Sequence, residues 1–216
     1  ASRPAPRVEA VPGGHLWGSE RRDPQGTLTT DSPGIRDPRV SWVFTATGGL
    51  SGGPAVARDG SVYVASASKT LHALTSQGRE KWTTALPAQP VGGPALSAAG
   101  DLYIADRKGG LTAVSVGGDV LWRYQPQNEL PAIAGPILLP DGAIVYPVEG
   151  YLIAVQPDGM LRWRAQAPYS FLNPAPHLSV NGKVVFFADI AIDSATGKPL
   201  VKETVNPLDQ FIVAAN

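Results

Sequence analysis

Three histidines, His15, His72 and His177, are the side chains of this sequence best suited to bind a metal ion or transfer a proton. Each stands apart from the other two and from any cluster of carboxylates, whereas a metal site brings several ligands together at short spacing. The sequence also contains no cysteine, which excludes disulfides, thiolate zinc sites and cysteine nucleophiles. We therefore expect no metal site, and we interpret His72 as a polar residue on the alternate face of a strand.

The sequence predicts neither a nucleophilic serine site nor a phosphate-binding loop. The serines lack the strand-turn-helix context of a nucleophile elbow. The glycine-rich stretches 47–54 and 117–120 adjoin strand-like runs rather than helix starts, so they do not provide the helix N-terminus that binds phosphate. Asp59, Asp141 and Asn181 recur at equivalent places, which favours a role in turns over acid catalysis. We predict no catalytic residue, no cofactor and no nucleotide site.

The charge balance and hydropathy restrict the partners and the environment. Eighteen Lys and Arg offset 18 Asp and Glu, so the chain lacks the basic excess of a nucleic-acid-binding surface. Hydrophobic residues make up 43% of the chain and charged residues 17%, which is typical of a globular protein with a buried core. No apolar run approaches the roughly 20 residues of a membrane span. The N-terminal ASRPAP has no signal-peptide core, so we expect an exported protein to carry this sequence as its mature form.

The elements that position all these residues come from a repeat of about 40 residues. Tryptophans recur at steps of 40, 40 and 41 residues, and each copy parses into four short strands rich in β-branched and aromatic residues. Asp-Gly or Asn-Gly in three of the four copies predicts hairpin turns in which both central residues have positive φ. The residues that mark the repeat are Trp42, Trp82, Trp122, Trp163, Gly60, Gly100, Gly142, Gly182, Ala73, Ala113 and Ala154.

A four-stranded sheet of this size buries both faces only by stacking against its neighbours. The tryptophan would fill the wedge between sheets, and the alanine would let a neighbouring sheet come close. We therefore predict an all-β protein, a β-propeller of four-stranded antiparallel blades with about four blades plus a remnant and almost no helix. The predicted units are a lead-in at 1–40 and a propeller at 41–216, with blades at 42–82, 83–122, 123–163 and 164–203 and a partial blade at 204–216.

The lead-in and the two ends of the propeller depart from the regular repeat. The lead-in is rich in proline, glycine and charge, so we expect it to be extended and irregular, with Trp17 either pinning it to the domain or contacting a ligand. Residues 41–45 resemble a fourth strand without the three before it, and residues 211–214 a first strand without followers. Val201 replaces the closing tryptophan of the fourth copy. Because open ends expose unpaired edges, we expect further blades or a protein partner to cover them.

The repeat Gly-x-Pro, Asp-Gly-x-Val-Tyr-Val, Leu-x-Ala-Leu, Gly-x-x-x-Trp resembles the PQQ-like, or quinoprotein-type, β-propeller repeat over residues 16–203. The resemblance implies one of several functions, because the family includes quinone-dependent dehydrogenases, the lipoprotein of outer-membrane β-barrel assembly, and sensor or surface domains. The dehydrogenases have seven or eight blades, hold quinone and calcium with acidic and amide ligands, and often carry a vicinal cysteine pair. The four copies and the lack of cysteine favour the non-catalytic branch that resembles the assembly lipoprotein.

The surface loops remain as the candidate site. Connections between blades lie at 83–92, 124–134 and 164–173, on the same face as the turns between second and third strands, and their mixture of polar and aromatic groups suits a protein interface. The candidate interface residues are Arg107, Lys108, Asn128, Glu129, Glu149, Tyr169 and Phe171. We expect an exported bacterial scaffold of the periplasm or cell surface that binds a protein partner. The alternatives are solvated loops without a partner, a fragment or descendant of a quinone-dependent dehydrogenase, and a carbohydrate-binding surface protein with Tyr169 and Phe171 as stacking residues.

Overall fold

The structure is a computed structural model that describes residues 18–19, 23–26, 39–127, 130–167, 175–188 and 190–200. The strands of these regions form four antiparallel sheets, and consecutive strands are neighbours in each sheet. The first sheet contains β1 (Ala55–Val56), β2 (Val62–Ser66), β3 (Thr70–Leu74) and β4 (Glu80–Ala85). The second sheet contains β5 (Ala95–Leu96), β6 (Leu102–Ala105), β7 (Leu111–Val114) and β8 (Val120–Tyr124).

The third and fourth sheets repeat this order. The third sheet contains β9 (Ile137–Leu138), β10 (Ile144–Val148), β11 (Tyr151–Val155) and β12 (Leu161–Gln166). The fourth sheet contains β13 (His177–Leu178), β14 (Val184–Phe187) and β15 (Ile190–Asp193). The described residues contain no helix, and therefore none long and apolar enough to cross a membrane. These sheets confirm the predicted all-β propeller built from antiparallel blades.

The turn between the first two strands of each blade differs from the prediction. In blade 1 only Gly60 has positive φ, at 82°, so the prediction that both central residues take positive φ is wrong. The Gly60 amide donates to the Ala57 carbonyl at 3.0 Å, and the Ala57 amide donates to the Ser61 carbonyl at 2.9 Å. This is a three-residue loop with one left-handed glycine, and it explains why Ala99 can precede Gly100 in blade 2. Asp59 instead accepts hydrogen bonds from the Ser61 amide and hydroxyl, which lower the pKa of Asp59.

The alanine of the third strand lies between two large side chains of its own sheet. Ala73 pairs with Tyr63 on one side and Trp82 on the other, and the two rings approach to 5.9 Å between centroids. Ala113 has the same position between Tyr103 and Trp122. Both alanines are fully buried, and Ala73 belongs to a core cluster that includes side chains of the second sheet. A small residue there lets the flanking rings meet while the next sheet packs over them.

Each repeat tryptophan joins its strand to the following blade. The indole Nε1 donates to a backbone carbonyl in the turn that precedes the last strand of that blade, and the indole ring covers the left-handed glycine of the same turn. The four joints are Trp42 with Ser76 O (2.9 Å) and Gly78, Trp82 with Val116 O (3.0 Å) and Gly118, Trp122 with Pro157 O (2.8 Å) and Gly159, and Trp163 with Ser194 O (3.0 Å) and Gly197. A Cβ atom on any of these glycines would lie within 3 Å of the ring. The spacing of the tryptophans thus follows from one joint repeated between successive blades.

The fourth blade has three assigned strands and the beginning of another. Pro199 bridges Ile192, and the Leu200 amide donates to the Ala191 carbonyl at 2.8 Å. The turn before Pro199 is held by Asp193, whose carboxylate accepts from the amide and the hydroxyl of Thr196 at 2.8 and 2.7 Å. These hydrogen bonds lower the pKa of Asp193. Val201 and residues 211–214 lie outside the described residues.

Residues 39–46 lie against the first blade as an outer strand would. Trp42 and Phe44 face that blade, where Trp42 covers Gly78 and the Phe44 ring stands 5.2 Å from the His72 ring. Val40 and Val43 are 81% and 79% exposed. Among the described strands, none pairs with this segment. Whether this end of the propeller is open, as expected from the sequence, therefore stays a prediction.

The described residues of the lead-in lie on the first strands of the blades. The Leu96 amide of β5 donates to the Gly18 carbonyl, and the Leu178 amide of β13 donates to the Pro24 carbonyl, both at 2.8 Å. Ser19 and Asp23 are buried, at 8% and 3% exposure. In a propeller the first strands are closest to the central channel. This part of the lead-in is irregular, as it forms neither strand nor helix, and it is packed against the centre of the molecule.

Candidate functional site

One surface of the propeller is formed by the connections between blades together with the turns between second and third strands, and we call it the connection face. In three successive blades the same backbone hydrogen bond ties the two parts together. It runs from the Ala67 amide to the Gly49 carbonyl (3.0 Å), from Arg107 to Gln89 (2.9 Å) and from Glu149 to Pro131 (3.0 Å). Isolated bridges accompany each one, at Leu50↔Ser66, Pro90↔Asp106 and Ala132↔Val148. The connections therefore have a defined geometry at these points.

Three of the candidate interface residues lie on the connection face. Arg107 and Lys108 are exposed on the turn between β6 and β7, and Glu149 is exposed on the turn between β10 and β11. The turns of two neighbouring blades thus present two cations and one anion. The other four candidates, Asn128, Glu129, Tyr169 and Phe171, lie outside the described residues.

A buried carboxylate holds the turn that carries Arg107 and Lys108. Asp106 is only 3% exposed, and its Oδ1 accepts from the amides of Lys108 (2.8 Å) and Gly110 (3.1 Å). Its Oδ2 accepts from the Arg123 guanidinium at 2.7 Å. A carboxylate that receives two backbone amides and one guanidinium fixes the path of the turn, because charge-assisted hydrogen bonds are short and strong. Arg107 and Lys108 are consequently displayed from a braced support.

The brace continues into the last strand of the blade. Arg123 also donates to Thr112 Oγ1 at 3.1 Å and to Gln125 Oε1 at 2.6 Å. Gln125 Nε2 in turn donates to the Lys108 carbonyl at 2.8 Å. A Cβ atom on Gly110 would lie 2.4 Å from the Arg123 guanidinium, so a larger residue there would displace the guanidinium from its place in the network. The sequence alone does not predict this network. The one available signal was the Asp-x-x-Gly-Gly pattern, which only the second copy contains.

The turn is also tied to the third blade. The Tyr146 hydroxyl donates to the Gly109 carbonyl at 2.8 Å, and Tyr146 is fully buried. Burial raises the pKa of Tyr146 far above its usual range, which keeps the phenol neutral as a hydrogen-bond donor. Gly109 itself has a φ of 74°. The turn of blade 2 that carries Arg107 is therefore packed against blade 3, whose strand β10 leads into the turn of Glu149.

An aromatic and cationic pair lies at the end of the third sheet. The Arg164 guanidinium carbon is 3.4 Å from the centroid of the Tyr151 ring, within the distance of a cation–π interaction. Tyr151 follows Glu149 by two residues, and it pairs with Gln166 of β12. Arg164 is exposed. This pair adds a further cation and an aromatic surface beside the turn of Glu149, and it was absent from the candidate list based on sequence.

The histidines, which could in principle bind a metal ion or transfer a proton, are not grouped into a catalytic or metal site among the described residues. His72 Nδ1 lies 3.1 Å from Glu80 Oε2 and its Nε2 lies 3.3 Å from Ser66 Oγ, so both ring nitrogens have partners on neighbouring strands. His177 belongs to β13, and His15 lies outside the described residues. Within the described ranges, no three His, Cys, Asp or Glu side chains are grouped as metal ligands.

Ser51 stands in a Gly-x-Ser-x-Gly sequence, at residues 49–53, that also deserves comparison with a nucleophile elbow. The segment lies in the connection before β1, whereas an elbow joins a strand to a helix. The Ser51 hydroxyl is buried and contacts no hydrogen-bond partner among the described residues, so no base that could activate it is adjacent. Gly52 serves packing, since a Cβ there would lie 2.3 Å from the backbone of Gly92 in the next blade.

The fold resembles those of many solved structures, among them the following two. Over 68% of this chain and 47% of the other, BamB from Moraxella catarrhalis superposes with a TM-score of 0.57 at 19% identity. A protein of unknown function from Bacteroides caccae superposes with a TM-score of 0.55 at 15% identity, over 74% of this chain and 62% of the other. The chain thus spans about half the length of the Moraxella protein. At these identities the likeness establishes the fold alone.

Sequence comparison assigns the family. A search of the curated proteins found no match. The family model described as outer membrane protein assembly factor BamB matches residues 7–214, which is nearly the whole chain. This agrees with the resemblance to PQQ-like propeller repeats that the tryptophan and glycine pattern carries. The chain belongs to the family of the outer membrane protein assembly factor BamB.

Proposed function

We propose that this chain is a non-enzymatic scaffold that binds a protein partner through its connection face during outer membrane protein assembly. The observation that carries the proposal is the braced turn of blade 2, where buried Asp106 and Arg123 hold the backbone from which Arg107 and Lys108 project. Membership in the family supports the process in which the scaffold acts. The corresponding location is the periplasm or the periplasmic side of the outer membrane of a bacterium.

The brace matters because binding to a preformed surface avoids the entropic cost of ordering a loop. Arg107 and Lys108 carry long side chains, but the backbone beneath them is fixed on both sides by the Gln89 carbonyl and the Asp106 carboxylate. A partner that docks there restricts only the side chains. Such a support is what we expect of a recognition surface and exceeds what a solvated loop requires.

The charges define the chemistry of the partner. Two cations on the blade 2 turn fit an acidic patch, and Glu149 on the next turn fits a basic group beside that patch. Tyr151 under Arg164 adds an aromatic surface of the kind enriched at interface centres. The partner surface should therefore carry carboxylates opposite blade 2 and a lysine or arginine opposite blade 3, together with an apolar group for the tyrosine.

Charge reversal tests the proposal against a purified β-barrel subunit of the assembly machinery from the same bacterium. The double variant Arg107→Glu, Lys108→Glu should bind about tenfold or more weakly, mainly through a slower association rate, because like charges then face each other. Arg79→Glu is the matched control, since Arg79 is an exposed arginine on a turn between the third and fourth strands, at the opposite end of its blade. Binding by surface plasmon resonance at two salt concentrations separates the electrostatic part.

Two results would contradict this function. Equal affinity of wild type and the double variant, with weaker binding by Arg79→Glu, would move the interface to the other face. Binding of pyrroloquinoline quinone and calcium, with reduction of a dye by alcohols or sugars, would show a quinone-dependent dehydrogenase instead.

A further inference from the structure

The end of the propeller opposite the connection face carries a patch of exposed apolar side chains. This end, which we call the base, consists of the turns between first and second strands and the turns between third and fourth strands. The patch belongs to blades 2 and 3, and its five side chains are each 48–65% exposed: Val116, Val120, Leu121, Met160 and Leu161. Single exposed apolar residues are ordinary on a protein surface, but five of them at two equivalent turns indicate a site of association.

The patch is continuous from blade 2 to blade 3. Leu121 precedes Trp122 in β8. The Trp122 indole donates to the Pro157 carbonyl at 2.8 Å, and its ring covers Gly159. Met160 is the next residue after Gly159, so the turn that carries Met160 lies against the strand that carries Leu121.

Blade 1 shows that the fold does not require apolar residues at these positions. Trp82 pairs with Ala73 in blade 1 as Trp122 pairs with Ala113 in blade 2, which aligns the two fourth strands. Since one blade folds with polar residues where the next has apolar ones, the apolar side chains of blade 2 indicate a role outside the blade. In this alignment blade 2 has Val116, Val120 and Leu121 at the positions where blade 1 has Ser76, Glu80 and Lys81.

Ion pairs take the place of the apolar residues in the neighbouring blades. Lys81 Nζ lies 4.0 Å from the Asp59 carboxylate, and Arg162 forms the equivalent ion pair with Asp141. Blade 2 has two apolar residues in these places, Leu121 and Ala99. The base therefore has an apolar centre in blade 2 with charged groups on both sides of it.

The charged side chains divide the base into two halves of opposite sign. The basic half comprises segment 39–46 and blade 1, and its four cations and two anions leave a net charge of +2: Arg39, Arg58, Arg79 and Lys81 against Asp59 and Glu80. The acidic half comprises blades 2 and 3, and its four anions and one cation leave a net charge of −3: Asp101, Asp119, Asp141 and Asp158 against Arg162. A surface divided in this way is complementary in charge to a second copy of itself.

We propose that the base binds a second copy of this chain, in a dimer whose two-fold axis runs between blade 1 and blade 2. A half-turn about this axis lays the basic half of each copy on the acidic half of the other, so both copies use the same surface. Blade 2 lies beside the axis, which puts Val116, Val120 and Leu121 at the centre of the contact and the charged groups around them. An apolar centre with a polar rim is the usual anatomy of a protein interface.

The dimer leaves the connection face exposed, because the base is at the other end of every blade. The proposal therefore does not depend on the scaffold function, and either can fail alone. A membrane surface fits the base less well, since the aspartates of the acidic half would face anionic lipids.

Sedimentation of the whole chain over a range of concentrations tests the dimer. The wild type should sediment as monomer and dimer in a ratio that depends on concentration, and added salt should weaken the dimer by screening the charged rim. The triple variant Val116→Ser, Val120→Glu, Leu121→Lys carries the residues of blade 1 and should dimerise about tenfold or more weakly, because it removes the apolar centre. Leu50→Lys is the control and should dimerise as the wild type does, since Leu50 is also exposed but lies on the connection face.

A pair of charge reversals tests the symmetry of the dimer. Arg79 and Asp119 occupy equivalent positions of blades 1 and 2, three residues before the tryptophan. Arg79→Glu and Asp119→Lys should each dimerise about tenfold or more weakly, because like charges then face each other. An equimolar mixture of the two variants should recover the wild-type affinity, because both contacts of the mixed dimer again join opposite charges.

Three results would overturn the proposal. They are a wild type that stays monomeric up to about 1 mM, a triple variant that dimerises as tightly as the wild type, and a mixture of the two charge variants that stays monomeric. A monomeric wild type that floats with vesicles of phosphatidylethanolamine and phosphatidylglycerol, while the triple variant does not, would assign the base to a membrane surface instead.

Discussion

The contact between Trp82 and Gly118, which joins blades 1 and 2, predicts that Gly118→Ala destabilises the protein. Gly118 has a φ of 97°, and a Cβ atom there would lie 2.9 Å from Trp82 Cδ2 and 3.1 Å from Cε3. Gly118→Ala should therefore cost about 1 kcal/mol for placing an L-residue in the left-handed region. The clash with the indole should add about 1–3 kcal/mol, the usual cost of overpacking. The expected loss in free energy of unfolding is about 2–4 kcal/mol by these two effects.

Gly150→Ala is the matched control for this experiment. Gly150 also has positive φ, at 77°, but a Cβ atom there would meet nothing within 4 Å. It should lose only the backbone contribution of about 1 kcal/mol. Urea unfolding followed by far-ultraviolet circular dichroism measures both variants, and the linear dependence of free energy on urea gives the difference.

The tryptophan variant completes a double-mutant cycle. In a Trp82→Ala background the indole is gone, so Gly118→Ala should cost no more than Gly150→Ala costs in the wild type. The coupling between the two positions should then equal the clash, about 1–3 kcal/mol. Equal losses for Gly118→Ala and Gly150→Ala, or a Gly118→Ala loss that survives removal of Trp82, would refute the idea that the ring and the glycine form one joint.

Two further predictions concern charged groups. Arg123→Met removes the guanidinium from buried Asp106 and should lower the free energy of unfolding by about 3 kcal/mol at pH 7. This is at the low end for a broken buried ion pair, because two backbone amides still bind the carboxylate. If urea unfolding gives a loss no larger than that of Arg79→Ala, the prediction is contradicted. The hydrogen bonds from Thr196 lower the pKa of Asp193 below 3.8, so the folded state should lose stability as the pH falls through that lowered value. Asp193→Asn should flatten the dependence of unfolding free energy on pH below 3.8, and parallel curves for the two proteins would contradict it.

The sequence predicted the architecture because its signals are local. The strands follow from runs such as VYVAS at 62–66, and the turns from glycines such as Gly60 whose left-handed φ no other residue adopts as easily. The tryptophan spacing indicated stacked sheets of equal size. The error at the Asp59 turn arose because one dipeptide is compatible with two loop lengths, and the choice depends on the pairing of Ala57 with Ser61.

The candidate site was only partly predictable, because sequence signals are local and the site depends on contacts between strands. Arg107, Lys108 and Glu149 could be assigned to the connection face from the order of strands. The brace beneath them could not, because Asp106 and Arg123 belong to different strands and meet only after β6, β7 and β8 have paired. The partner of Tyr146 is a backbone carbonyl of another blade, and a carbonyl carries no signature in the sequence.

The repeating unit can be predicted from the amino-acid sequence, since strand propensity, turn chemistry and the period of about 40 residues are properties of neighbouring residues. The surfaces that the unit presents depend on how the blades pack in three dimensions. The stacking of blades puts each tryptophan over a glycine of the next copy, gathers Asp106, Arg123 and Tyr146 around one turn, and lets the lead-in lie on first strands far away in sequence. These contacts form between residues whose separation in the chain is large, and their energies depend on burial and geometry that exist only in the folded molecule.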